Sequence, residues 1–159
     1  MTTDRHAAVG RGDVGFLLAK AMQRWNELLA GRFAAAGFAE VRPSYGSVLL
    51  PLYEEDGLRM GELARRARLS KQTVTQMIRR LERDGLVERR LDPSDARASQ
   101  IFLTPRSRRF EPVATAVLQE LDELVRRRLS ALEVQALKDA LRVLMNLEAT
   151  ADTSFNAKR

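Results

Sequence analysis

LSKQTVTQMIRRLERDGLVERRLDPSDARASQIFLT, residues 69–104, decides the fold. Its first part is a short helix with marked ends. Ser70 is placed as an N-cap, its hydroxyl able to accept from the backbone N–H of Gln72 or Thr73. Leu69 and Val74 stand at the two positions of a hydrophobic staple. Gly85 supplies the left-handed residue that stops the helix. Between these ends Val74, Met77, Ile78 and Leu81 recur at i, i+3, i+4, i+7, one stripe facing a core. The other face carries Lys71, Gln72, Thr75, Gln76, Arg79 and Arg83, and no acid appears before Glu82 and Asp84. Acids ordinarily favour a helix N-terminus, so a polar and basic start suits a face that meets an anion.

After Gly85 the period changes to two. Residues 86–91 (LVERRL) and 99–103 (SQIFL) read as strands, and the seven residues between them, DPSDARA, are rich in turn formers. Before the helix, residues 61–67 (GELARRA) form another short helix, joined through a tight turn at Arg68-Leu69-Ser70. Helix, turn, helix and a two-stranded wing make a winged helix-turn-helix, whose second helix enters a DNA major groove.

These pieces resemble the MarR family of transcriptional regulators. The resemblance rests on Glu62-Leu63-Ala64, on Ser70-Lys71-Gln72-Thr73-Val74-Thr75, on LERDGLV at 81–87, and on Asp92-Pro93-x-Asp95-x-Arg97 followed by Leu103-Thr104. The wing pattern with KQTVT upstream is specific, where a bare helix-turn-helix match is weak. More loosely, the resemblance extends over the flanking helices and so covers most of the chain.

Charge agrees with a reading head in this stretch. The 159-residue chain carries a net +6, and from Arg59 to Arg109 fourteen Lys+Arg face six Asp+Glu, a local +8 that leaves −2 for the rest. A basic patch confined to one module is the footprint of a nucleic-acid binder. A membrane-surface protein would instead string its basic residues along one amphipathic helix. Cysteine is absent and the only histidine is His6, which excludes disulfides, thiol redox switching and a histidine-rich zinc site. No apolar run approaches 18 residues and no signal-peptide core is seen, so a cytoplasmic protein without a cofactor is expected.

Outward from the head, residues 1–12 read as a mobile polar tail. Gly10-x-Gly12-x-x-Gly15 spells the dinucleotide fingerprint, but the strand it needs is missing, and Asp13 is better placed as the cap of a helix over 14–36. That helix shows Leu17, Ala21, Trp25, Leu28 or Leu29, and Phe33 at helical spacing, with Gly37 ending it. Trp25 is either a core or interface anchor or the wall of a ligand pocket. A second helix begins near Pro43, and Pro51 is expected to kink it or end it early. Glu54-Glu55-Asp56 is expected to be a solvated turn. Leu58-Arg59-Met60 is a short strand that joins the wing. Thr104 and Pro105 open a long helix with a kink expected at Pro112. Running to Arg128, it spans about 36 Å at 1.5 Å per residue, which leads it out to a second lobe. Ser130-x-x-Glu133 is a capping box that starts the last helix.

The expected architecture is mostly α with a small antiparallel β wing. A winged helix-turn-helix over 41–104, with its recognition helix at 70–84 and its wing at 86–103, is joined to a helical dimerisation lobe from 13–40 and 105–149. Residues 150–159 form a flexible tail. The apolar surfaces of the first and last helices are broad enough to call for a second copy, and the resemblance implies the same dimer.

Within the head, Gln72, Thr75 and Gln76 are the candidates for base edges. Ser70, Lys71, Thr73, Arg79, Arg80 and Arg89 complete the helix and wing set, chiefly as phosphate contacts. Arg97 in the wing turn suits a narrow minor groove, and the resemblance points to the same residue. Asp95 either holds the loop and orients an arginine or is a turn-former with no part in DNA binding. The resemblance also implies a small phenolic or lipophilic effector bound between the two lobes, with Trp25, Tyr45, Leu49, Tyr53 and Phe110 as lining residues. Arg42, where relatives often have a small cap residue, departs from the pattern and can face a ligand carboxylate. The implied function is a ligand-responsive repressor acting as a homodimer on a palindromic operator. Its rivals are a winged helix used for protein contacts and a DNA binder with no ligand. No nucleophile–base pair, metal set or phosphate loop supports an enzyme.

Overall fold

Asp13 accepts hydrogen bonds from the backbone N–H groups of Gly15 and Phe16 (2.8 and 3.4 Å) and so starts α1, Val14–Ala35. The structure, a computed structural model, describes residues 10–147. The tails expected at 1–12 and 150–159 lie outside these residues except for positions 10–12, and His6 lies outside them as well. The glycine pattern at 10–15 is thus the approach to a helix. Gly37, at φ 86°, follows α1 in the left-handed region.

A single 3-10 turn, Pro43–Tyr45, runs into α2, Gly46–Glu54. Pro51 does not end α2 early: the helix continues past it, and the Glu55 N–H donates to the Pro51 carbonyl at 3.0 Å. Proline removes one donor, yet its ring is buried with Val48, Leu49 and Leu52. Burial of this apolar face outweighs the missing bond, because one net hydrogen bond contributes only about 1 kcal/mol. The acidic run after α2 is not a merely solvated turn either. Asp56 Oδ1 accepts from the Leu103 N–H at 2.8 Å, its other oxygen meets Arg108, and Glu55 meets Arg66.

β1 (Leu58–Arg59), α3 (Met60–Ala67) and α4 (Lys71–Arg83) follow. The N-cap of α4 is made by the Ser70 side chain, which accepts from the Thr73 N–H at 3.1 Å. The helix closes at Gly85 (φ 73°), after which the Leu86 N–H returns to the Leu81 carbonyl at 2.8 Å. Val74, Ile78 and Leu81 are fully buried, so the stripe read from the sequence is the face α4 turns to the core.

β2 (Val87–Asp92) and β3 (Asp95–Leu103) form an antiparallel sheet with β1, in the order β1-β3-β2. The strands reach much further into the wing than the expected seven-residue loop allows, leaving only Pro93 and Ser94 between them. Val87 to Leu91 pair regularly with Leu103 to Ser99, and then the register slips so that Asp92 faces Asp95. Residues 96–98 therefore have no partner on β2, and Arg97 lies in this irregular part of β3. Gly57, at φ 74°, precedes β1 where a Cβ would come within 2.8 Å of the Phe102 ring. Only glycine fits that site without displacing the ring.

α5, Pro105–Arg126, begins as expected, with the Thr104 hydroxyl accepting from the Ser107 N–H at 3.2 Å. It runs through Pro112 without a break. α6, Ala131–Met145, carries the complete Ser130–Glu133 capping box. The chain divides into two compact units, one to Leu118 and one from Gln119. In the first, Phe110 packs edge-on against Phe33, with centroids 4.8 Å apart, and lies 5.2 Å from Phe38. In the second, Leu121 and Val134 are buried. Among the described residues no helix is long and apolar enough to cross a membrane.

Candidate nucleic-acid interface

The buried stripe of α4 fixes what its opposite face must show. Lys71, Gln72, Thr73, Gln76, Arg79 and Arg80 are all exposed. Lys71, Arg79 and Arg80 make no ion pair among the described residues. Ser70 and Thr73, joined hydroxyl to hydroxyl at 2.8 Å, stand at the helix N-terminus, where free N–H groups and the helix dipole favour an anion.

Thr75 differs from its expected placement. Its hydroxyl donates to the Lys71 carbonyl one turn back at 2.7 Å, and the residue is half-buried. It lines a groove with Arg59, Met60, Gly61, Glu62, Arg89, Arg97, Ala98 and Ser99. This groove runs between the start of α3, Thr75 of α4 and the wing, and three arginines border it. Arg89, a phosphate candidate from the sequence, is paired with Glu82 at 3.3 Å. Glu62, the groove's carboxylate, is bound by Arg65 and then Arg66, which bring its pKa down to about 2. It therefore stays anionic but engaged. The Arg97 guanidinium makes no ion pair among the described residues, while its backbone N–H donates to Asp95 Oδ1 at 2.9 Å. Asp95 thus holds the local backbone and does not orient the arginine's head group.

Two interactions that shape this surface were not foreseen. Asp92, almost wholly buried, accepts from the Ser94 hydroxyl (2.7 Å) and N–H (2.8 Å) and from Arg59 Nε (2.5 Å). These bonds, with Ser94 contributing most and Arg59 next, hold its carboxyl well below the usual carboxylate range. The turn gains this support above the ordinary aspartate range and loses it only as strong acid protonates the folded carboxylate. At the other end of α4, the Tyr45 hydroxyl donates to Asp84 Oδ2 at 2.5 Å. Burial and this carboxylate both raise the Tyr45 pKa, so the phenol stays a donor.

A separate apolar cavity of about 170 Å³ lies in the first unit. Of the expected lining residues it brings together Arg42, Leu49, Tyr53 and Phe110, along with Leu29, Phe33, Val41 and Leu118. Trp25 and Tyr45 stand outside its lining. Tyr45 is drawn to Asp84, and on α1 the wall is made by Leu29 and Phe33, one and two turns beyond Trp25. The α1 spacing placed Leu29 and Phe33 on one stripe, but only the fold shows which end of the stripe faces the cavity. Tyr53 bonds through its hydroxyl to the Ser107 carbonyl at 3.0 Å, which leaves the exposed Arg42 as the charged group of the lining.

The family model described as "MarR family" matches residues 43–99, which contain α2 to α4 and most of the wing. The transcriptional regulator HosA of Escherichia coli is 30% identical over 105 residues, 66% of this chain and 77% of its own length. The PcaV transcriptional regulator of Streptomyces coelicolor, solved in complex with its natural ligand, superposes with a TM-score of 0.72. It has 25% identity and covers 87% of this chain and 96% of its own. The repressor CouR, solved bound to a 23-mer DNA duplex, superposes with a TM-score of 0.71 at 24% identity. It covers 87% of this chain and 99% of its own.

Proposed function

Because the chain belongs to the MarR family of transcriptional regulators, which are not enzymes, we propose that it binds double-stranded operator DNA as a homodimer and releases it on binding a small effector. The observation that carries DNA binding is the exposed face of α4, where Lys71, Arg79 and Arg80 make no ion pair among the described residues, together with the arginine-bordered groove that Thr75 lines. Gln72 and Gln76, four residues apart on that face, suit adenine edges. Thr75 and Arg89 border the groove, where a phosphate strand would pass, and Arg97 reaches the flanking minor groove. Two such heads set one helical turn apart, about 34 Å, call for a palindromic site.

The dimer reading is supported by apolar side chains the described chain leaves in the open. Leu17 and Met22 on α1 are 53% and 65% exposed, and Leu132 on α6 is 84% exposed. Sedimentation at micromolar concentration is expected to give about twice the 17.9 kDa chain mass. A stable soluble monomer would overturn this part. The effector reading is supported by the apolar cavity with Arg42 at its lining, which suits a flat, apolar molecule bearing a phenol or carboxylate. Repressor action follows if the operator overlaps the promoter.

Salt dependence tests the DNA reading against a winged helix used for protein contacts. Each phosphate-neutralising charge contributes about 0.9 to the slope of log K against log salt, so Arg97→Ala in a dimer should lower it by about two. Preference for A·T-rich flanks should fall too, because the narrow groove there concentrates negative potential. An unchanged slope with unchanged flank preference would mean that the wing does not touch DNA.

A further inference from the structure

We propose that Arg59 is a positioning residue for DNA recognition, setting the wing so that Arg97 reaches the duplex while Arg59 itself makes no DNA contact. The inference rests on the reading of Arg97 as the wing contact and goes beyond it to what holds that residue in place.

β1 is only two residues long, with Leu58 facing Ile101 and Arg59 facing Gln100. Its backbone adds little to the sheet, but its arginine reaches far. Since β3 lies between β1 and β2, the Arg59 side chain extends past β3 to the turn that joins β3 to β2. There Nε donates to Asp92 Oδ2 at 2.5 Å and Nη2 to the Ser94 hydroxyl at 2.9 Å. The fork of a guanidinium meets two acceptors at once, which a lysine cannot reproduce.

The anchored point is where the ladder fails. Beyond the Leu91–Ser99 pair the register slips, and residues 96–98 have no partner on β2. No ladder bond to β2 fixes Arg97. Two carboxylates do so instead: Asp95 takes the Arg97 N–H, and Asp92 closes the turn from which this segment departs. Asp92 is 4% exposed, and without Arg59 it would be a buried carboxylate that has lost its cation, an arrangement that favours rearrangement of the turn. The charge of Arg59 is already engaged by Asp92, whereas that of Arg97 is free among the described residues. The two arginines border the same groove with different tasks.

A double-mutant cycle on the full-length protein separates these tasks. The probe is an operator fragment recovered by selection from the host's DNA, and affinity is measured against salt for wild type, Arg59→Ala, Arg97→Ala and the double variant. Arg59→Ala is expected to weaken binding severalfold and to have no further effect once Arg97 is alanine, since coupling of this kind marks residues acting through one another. Arg59→Lys should restore only part of the loss. Ser94→Ala, which trims the same anchor without stranding a buried charge, should show a smaller loss that also vanishes in the Arg97→Ala background, and it serves if Arg59→Ala fails to fold. An equal loss in both backgrounds would show that Arg59 contacts DNA itself and overturn the proposal, as would no loss from Arg59→Ala. If Arg97→Ala alone changes nothing, the wing reading is at fault and the positioning role falls with it.

Discussion

Truncating Ile78 to alanine is expected to cost about 2–5 kcal/mol of folding stability, the range for a fully buried isoleucine. Ile78 has no exposed surface and sits at the centre of the stripe between Val74 and Leu81, both equally buried. Domains of ordinary stability hold only about 5–15 kcal/mol in total, so this one change removes a large fraction. The interior of α4 consists of these apolar residues, and its outer face offers the core nothing in exchange. Urea unfolding monitored by circular dichroism would give the difference from the midpoint shift. A loss below about 1 kcal/mol would mean that α4 docks mainly through its polar ends, such as the Asp84–Tyr45 bond, and not through its stripe.

Gln76→Ala is expected to weaken operator binding by about 1–3 kcal/mol per half-site, with discrimination relaxed at one or two positions. Gln76 is exposed on α4, makes no hydrogen bond to the rest of the described chain, and leaves the helix unchanged when shortened. Folding stability should therefore stay within about 0.5 kcal/mol of wild type, as for other surface changes. Affinity across a set of single-base operator variants is the measurement. A uniform loss on every sequence would reduce Gln76 to a backbone contact. The contrast with Ile78, two residues away, is between one face that builds the head and another that we propose reads with it.

What could be read in advance was local. The Ser70 cap, the Gly85 stop, the capping box at Ser130 and the stripe of α4 each depend on residues within a turn or two of one another, and each stands where the spacing put it. The wing turn was read too long because Asp-Pro-Ser-Asp is turn chemistry in any context, whereas here Asp92 pairs with Asp95 and is held by Ser94 and Arg59. Arg59 and Asp92 are 33 residues apart, Tyr45 and Asp84 are 39, and Asp56 and Leu103 are 47. No periodicity links such pairs. The cavity was partly legible through the resemblance, which pointed to Leu49, Tyr53 and Phe110, but only the packing of Phe110 against Phe33 shows that the far part of α1 closes it.

The pairing of cations on the head has a consequence for rates. Among the described residues Lys71, Arg79 and Arg80 have no carboxylate to leave, so on the proposed reading an approaching phosphate would displace only water and counterions, and early encounter would break no ion pair of these three. Arg89 is different, because it must trade Glu82 for DNA before it can contribute. Encounter through the helix should thus be fast and strongly slowed by salt, while the exchange at Arg89 follows as a later, slower-reversing step. A protein built this way can scan many sites through the unpaired cations and reserve the ion-pair exchange for those it stays on.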